Sequence, residues 1–528
     1  MTFEWTKLIG TNEEEFGYGA ITGADGSIYI TGLTPGDLDG QTNNGEYGDA
    51  FLIKYNSDGT KVWTKLIGTS KSDAGHVLTT DGDGYIYITG HTSGDLDGQT
   101  NSGYHDAFLS KYNSDGARVW TKLLGTSETE YVWGATSSAD GFIYITGSTL
   151  GDLDGQTNNG DKDAFLTKFS KDGTKIWTRL FGTSQWDVGT ALTTSADGFI
   201  YLGGWTNGDL DGQTNNGRKD AFLSKYNSNG TRVWTRLLGT SKNDAGESLT
   251  TGADGSIYFA GWTYGDLDEE TNNVDRNNIL IHHDVRNQDA FLTKFSTDGT
   301  KIWTRLLGTE EADSGTALTT SADGSIYLAG YTKGDLDGHK SNGSYNPFVS
   351  QYNEYGTKEW TKVLKTNGNG YGTALTTDIN GSIYISGHTY GDIDGQTNSG
   401  SRDVFLSKIV INSASESLDP GTLKNGTQYT LDEIKDYDAC MNLLIVLSEK
   451  YPDWDRKKVE KKYDNANRKK IEYEKEQLRL KKVEDRKQKR AVQMVESIKN
   501  NVESVFDAKS GKTYYRTLRS TLCRVAHT

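Results

Sequence analysis

Proline is nearly absent from this chain, 4 in 528 residues, and cysteine occurs only at Cys440 and Cys523. Disulfides therefore cannot hold the first four hundred residues together, and turns must be made by something other than proline. No run approaches the roughly 18 apolar residues that cross a bilayer. The opening MTFEWTKLIG lacks the basic and apolar segments of a signal peptide. Membrane insertion is not expected, and export through such a signal is unsupported. The chain also has no G-x-S-x-G, no H-E-x-x-H and no zinc-spaced cysteines. Ser510-Gly511-Lys512-Thr513 has the end of a phosphate loop, but Phe506 stands where the leading glycine belongs, so the cradle is incomplete.

What is abundant is glycine, 63 residues, and aromatic side chains, 11% of the chain. With 34% hydrophobic residues this composition excludes a disordered chain. Charge divides unevenly: residues 1–412 carry 31 basic and 53 acidic side chains, and residues 413–528 carry 25 and 19. The acidic part is expected to repel nucleic acid, whose binding rests on lysine and arginine at phosphates.

Self-similarity dominates the acidic part. W-T-K/R-L or a close variant begins at Trp5, Trp63, Trp120, Trp177, Trp234, Trp303 and Trp360, a step of 57 or 58 broken once by 69. Each unit contains four strand patterns, as in residues 19–22, 27–31, 49–55 and 60–68, rich in β-branched and aromatic residues. Asp25-Gly26 and Asp58-Gly59 supply hairpin turns, and a long loop joins the two pairs. Apolar residues fall on both faces: Ile28 and Ile30 oppose Tyr29, so each sheet must be sandwiched. Four-stranded sheets packed face to face around an axis are propeller blades. The orphan strand at 3–10 supplies the fourth strand missing after residues 403–410, which closes the ring and removes open edges. The expected fold is all-β: a seven-bladed β-propeller over 1–412, a linker over 413–437, and a charged α-helical tail over 438–528.

The runs D-A-F-L-S-K-Y-N-S-x-G-T, W-T-K/R-L-L-G-T and D-G-S-I-Y-I-T-G resemble the bacterial seven-bladed beta-propeller (SBBP) repeat family over about residues 3–411. The resemblance implies a propeller, frequently within bacterial surface or secreted proteins, and hence an extracellular or cell-surface setting. It implies no single activity.

Positions constant across the seven units suit scaffold, and two positions vary sharply. One precedes the innermost strand: Tyr18, His76, Trp133, Thr190, Glu247, Thr316 and Thr373. The other follows the second: Leu33, His91, Ser148, Trp205, Trp262, Tyr331 and His388. Both fall at one end of an antiparallel blade, so Tyr18, His76, Trp133, His91, Trp205, Trp262, Tyr331 and His388 are candidate ligand-binding residues around the axial channel. Tryptophan and tyrosine give large contact area with little entropy to lose. Drift at tolerant loop positions is the alternative.

The long loops of that face each carry G-D-L/I-D: Asp37 and Asp39, Asp95 and Asp97, Asp152 and Asp154, Asp209 and Asp211, Asp266 and Asp268, Asp335 and Asp337, Asp392 and Asp394. Alternating carboxylates beside amide and carbonyl oxygens are hard ligands of the kind Ca²⁺ takes, so calcium is a candidate cofactor. The spacing departs from an EF-hand loop, and Asx turns that cap the loop's own amides are the other reading. In the fifth unit an insertion brings His282, His283 and Asp284, with imidazole and carboxylate groups suited to a transition metal, or simply polar surface.

In the tail, residues 456–490 hold sixteen basic and seven acidic side chains. A salt-bridged helix, a coiled coil on Val459, Ala466, Tyr473 and Leu480, and a basic run that binds nucleic acid or an anionic surface are the readings, with self-association the expected use. Taken together, the sequence points to a non-enzymatic recognition or scaffold propeller that binds a protein or glycan. The alternatives are a carbohydrate-active enzyme using axial carboxylates and a purely structural surface module.

Overall fold

The computed structural model describes residues 2–268, 270–272 and 288–411. The linker and helical tail expected beyond 412, and the histidines of the fifth-unit insertion, lie outside the described residues. Within them are 28 strands, β1 to β28 in chain order, arranged as seven four-stranded antiparallel sheets. The first blade is β2 (Phe16–Thr22), β3 (Ile28–Thr34), β4 (Asp49–Tyr55) and β5 (Lys61–Ile67), in that spatial order. The last blade is β26 (Gly370–Thr377), β27 (Ile383–Thr389) and β28 (Asp403–Val410), completed by β1 (Thr2–Ile9). β1 pairs with β28 from Thr2 opposite Val410 to Ile9 opposite Val404, so the chain's first strand closes the ring as its sequence requires.

The two middle strands of a blade are buried on both faces, which is why both of their faces are apolar. Ile28, Ile30, Phe51 and Ile53 pack against Tyr384, Val404 and Leu406 of the last blade. Tyr29, Ala50 and Leu52 turn the other way, onto Leu78, Ile86, Ile88 and Phe108 of the second blade. Each fully buried side chain of this size contributes roughly 1.5–3 kcal/mol, and every blade supplies such a set to both neighbours.

The repeated tryptophan stitches the outside. The Trp63 ring lies beside Tyr29, and its Nε1–H donates to the Ser114 carbonyl in the next blade's outer turn at 3.2 Å. Gly116 of that turn has φ +78, and a Cβ there would meet the Trp63 ring at 3.0 Å. Glycine is thus required twice over, for the left-handed turn and for the ring against it. At the seam Trp360 faces the blade split between the chain's ends, and its Nε1–H donates instead to Gln351 in its own blade.

Six of the seven blade junctions bury two acids, one opening a third strand and one beginning the next blade. They are Asp49 with Asp73, Asp106 with Glu130, Asp163 with Asp187, Asp220 with Asp244, Asp289 with Asp313, and Asp403 with Glu15, all at 0% exposure. Each inner acid is anchored by a threonine four residues back: the Thr183 N–H donates to Asp187 Oδ2 at 2.6 Å, and its hydroxyl at 2.9 Å. Burial, opposed by these hydrogen bonds, pushes Asp187, Asp244 and Asp313 up to about 6. The sixth junction is different. Asn346 and Gly370 stand there, and the Thr366 N–H donates to Asn346 Oδ1 at 3.0 Å.

Candidate functional site

The innermost strands, β2 and its counterparts Asp73–Thr80, Glu130–Ser137, Asp187–Thr194, Asp244–Thr251, Asp313–Thr320 and Gly370–Thr377, surround a central channel of about 380 Å³. The first variable position does not precede these strands, as the sequence suggests, but lies inside them. In every blade the pairing register skips it: Gly17 and Gly19 are both paired while Tyr18 is bulged out, and the same holds for His76, Trp133, Thr190, Glu247, Thr316 and Thr373. A bulge frees its residue from the ladder and re-aims the side chain. All seven line the channel. The bulge also brings the backbones close: a Cβ on Gly147, opposite Val132, would sit 1.7 Å from the Tyr131 carbonyl oxygen.

The seven bulge residues make two kinds of wall. On one side Tyr18, His76 and Trp133 touch in series, with ring centroids 5.0 and 4.6 Å apart. On the other, Thr190, Thr316 and Thr373 donate their hydroxyls to the carbonyls of Gly246, Gly372 and Gly17 in the next blade at 2.6–2.8 Å. Glu247 interrupts this pattern, accepting the Trp262 Nε1–H at 3.0 Å, and burial raises its carboxyl above the ordinary range.

The second variable set sits just above, at the channel mouth. His91 lies 4.9 Å from His76, His388 lies 5.6 Å from Phe16, and Tyr331 lies 5.0 Å from Tyr371. Burial holds His76 and His388 near about 4, so both are neutral at physiological pH. The structure thus brings all eight candidate ligand-binding residues to one end of the channel.

Two further sets complete the mouth and escaped the sequence reading. Phe16, Tyr131 and Tyr371 stand two residues before the bulge, packed against the second set. His105, Lys162, Lys219, Gln288, Tyr345 and Arg402 immediately precede the third strands. Lys219 Nζ is 3.6 Å from the Trp205 ring centre and 5.6 Å from that of Trp262. Lys162 lies 4.9 Å from Trp186, and the Arg402 guanidinium 3.7 Å from Phe16. The signal was available as a third column that varies between units, next to a D-A-F-L motif that does not.

The acidic loops join the second and third strands at the same end of each blade, and their aspartates turn to its outer strand. None of their fourteen aspartates lines the channel. The first aspartate of each loop accepts the backbone N–H six residues on: Asp37 from Asn43, Asp95 from Asn101, Asp152 from Asn158, Asp209 from Asn215, Asp266 from Asn272, Asp335 from Ser341 and Asp392 from Asn398, at 2.8–3.0 Å. The second has positive φ, 47–54°, a conformation aspartate tolerates better than most residues. It reaches the outermost strand. Asp39, Asp97, Asp154, Asp211, Asp268, Asp337 and Asp394 accept the hydroxyls of Thr64, Thr121, Thr178, Thr235, Thr304, Thr361 and Thr6. All but Asp394 also pair with a lysine or arginine of that strand. This is the bonding of loop closure, and among the described residues no group of three or more histidine, cysteine, aspartate or glutamate side chains could hold a metal ion.

Sheet order, closure and channel define a seven-bladed β-propeller. Three of its stretches match the model of the SBBP beta-propeller repeat: residues 62–97, 176–211 and 302–337. The chain is 25% identical over 452 residues to Regulatory protein FlaEY of Caulobacter vibrioides, covering 76% of this chain and 47% of that one. It is 23% identical over 381 residues to the uncharacterized WD repeat-containing protein L264 of Acanthamoeba polyphaga mimivirus, covering 65% and 26%. The chain therefore spans less than half the length of either relative. Among solved structures, the Pan2 WD40 domain of Neurospora crassa is similar at 8% identity and a TM-score of 0.40, with 76% of this chain and 89% of that one covered.

Proposed function

We propose that this propeller is a non-catalytic recognition scaffold whose channel mouth binds a glycan or a protein segment. The observation that supports this reading is the bulge ring: seven equivalent positions, released from strand pairing, carry different side chains in an otherwise repeated frame. Aromatic residues concentrate around it, and such residues make the strongest contacts in recognition sites. The name of the Caulobacter relative, a regulatory protein, agrees with a binding role.

A glycosidase mechanism needs two carboxyl groups roughly 5–9.5 Å apart across the bond to be cut. Of the residues lining the channel, Glu247 alone carries one, and the loop aspartates that the enzyme reading would use are engaged at the outer edge.

The test is a glycan and peptide array probed with the full chain and with Trp133→Ala and Trp262→Ala variants. Specific signals lost in both variants support the reading. Signals equal in all three proteins would overturn it, as would the absence of any signal.

A further inference from the structure

Six basic side chains of this ring are neutralised at its outer edge. Lys61, Arg118, Lys175, Arg232, Lys301 and Lys358 each pair with the second aspartate of their blade's loop. Lys162 and Lys219, at the mouth, are placed differently. Among the described residues neither has a carboxylate within 4.0 Å, although both are half-buried. They occupy the same position in adjacent blades, one residue before Asp163 and Asp220, and each is held to the following blade by a bridge, Lys162 to Trp186 and Lys219 to Asn243. Burial lowers both ammonium groups below the ordinary lysine value. Glu247 partly offsets this at Lys219, and nothing does at Lys162.

What surrounds these ammonium groups is aromatic. Trp205 and Trp262 flank Lys219, and Trp186 and Tyr131 lie 4.9 and 6.0 Å from Lys162. Further round the mouth Arg402, 8% exposed, lies over Phe16 and Tyr390, and its Nε–H has no acceptor. A ring face returns only about 0.5–2 kcal/mol to a cation, less than full loss of hydration costs, so an anion arriving from outside gains strongly. Flat surface is available beside the charge: Trp186 is 46% exposed and Trp133 40%. The cations are few and set apart by rings. Nucleic-acid backbones are gripped by rows of basic groups, whereas here two separated cations alternate with ring faces, an arrangement that fits sugar rings bearing acidic groups.

On the recognition reading above, we propose that the mouth at blades 3 and 4 is a subsite for an acidic glycan, with carboxylate or sulfate groups held by Lys162 and Lys219 and a sugar ring laid on Trp186.

Isothermal titration of the full chain tests this with a galacturonate hexasaccharide, its fully methyl-esterified form and a κ-carrageenan hexasaccharide. The expected result is binding of at least one acidic probe, at least about tenfold tighter than the ester. Which acid binds distinguishes carboxylate from sulfate. The double variant Lys162→Ala, Lys219→Ala reduces that binding to the level of the ester with Tm unchanged, and Lys162→Arg with Lys219→Arg retains it. Should the alanine pair fail to fold, the arginine pair and the ester comparison still decide. An ester bound as tightly as the acids, or a folded alanine pair that binds normally, overturns the acidic class and leaves the recognition reading standing. Binding of none of the three also overturns it, and the array result then judges recognition independently.

Discussion

At the outer edge of blade 3, Asp154 accepts the Thr178 hydroxyl and pairs with Lys175, and six other blades repeat the hydroxyl contact. At the mouth of the same blade, Lys162 has rings and, among the described residues, no carboxylate within 4.0 Å. The two places belong to one 57-residue unit and treat polar groups in opposite ways. At the repeated loop clip the charges meet partners within the frame; at the varied mouth, cations lie against rings. Loop clip and mouth are thus told apart by what their charges meet, as well as by how far they vary.

The contrast breaks most severely at the tight contact behind the bulge. Gly147→Val forces a side chain into the Tyr131 carbonyl and is expected to cost more than about 4 kcal/mol, read as loss of cooperative melting. The next effect is on pH. Because Asp187, Asp244 and Asp313 sit at about 6 when folded and near 3.8 when unfolded, protonation favours the native state. Their contribution is complete below the unfolded value and is lost as pH rises through about 6, so Tm should be higher at pH 5 than at pH 8. Asp187→Asn brings the neutral chemistry of the Asn346 junction to the third one. It should raise stability at pH 8 by up to about 3 kcal/mol and leave pH 4 nearly unchanged, which a pair of denaturant titrations would measure. A fall at pH 8 would contradict the account of the buried acids.

Smaller effects follow at the rim and the channel. Asp154→Ala removes one loop clip and should cost about 1.5 kcal/mol, equally in calcium and in chelator. A loss seen only in calcium would return the loop to the status of a metal site. Trp133→Ala, at a position 40% exposed, should change stability by less than about 0.5 kcal/mol, and any effect should appear in ligand binding alone.

The blades were legible because hairpin turns, two-faced apolar strands and a constant step each leave a local mark, and the orphan strand at the start announced the closure. The channel was legible where it varied strongly, at Tyr18, His76 and Trp133. The depth of those residues was not: a bulge is a mismatch between two strands, invisible in either strand alone. The outward course of the acidic loops was hidden for the same reason. Asp39 turns left-handed and reaches Thr64 in the outermost strand, and that path depends on tertiary contact rather than on the G-D-L-D motif itself. Lys162 and Lys219 were hidden by sitting beside the motif Asp-Ala-Phe-Leu, whose constancy draws attention away from the residue before it.

Thr2 and Val410 face each other across the last blade. Six blades are continuous in the chain and one is shared between its ends, yet the closed ring has no structural beginning. A short bridge from 410 to 2, with the chain reopened at any outer Asp-Gly turn, would describe the same molecule in a different order. Circular permutants of residues 2–411 should therefore assemble the same seven blades, and the mouth residues could be moved to any place in the reading frame without moving in space.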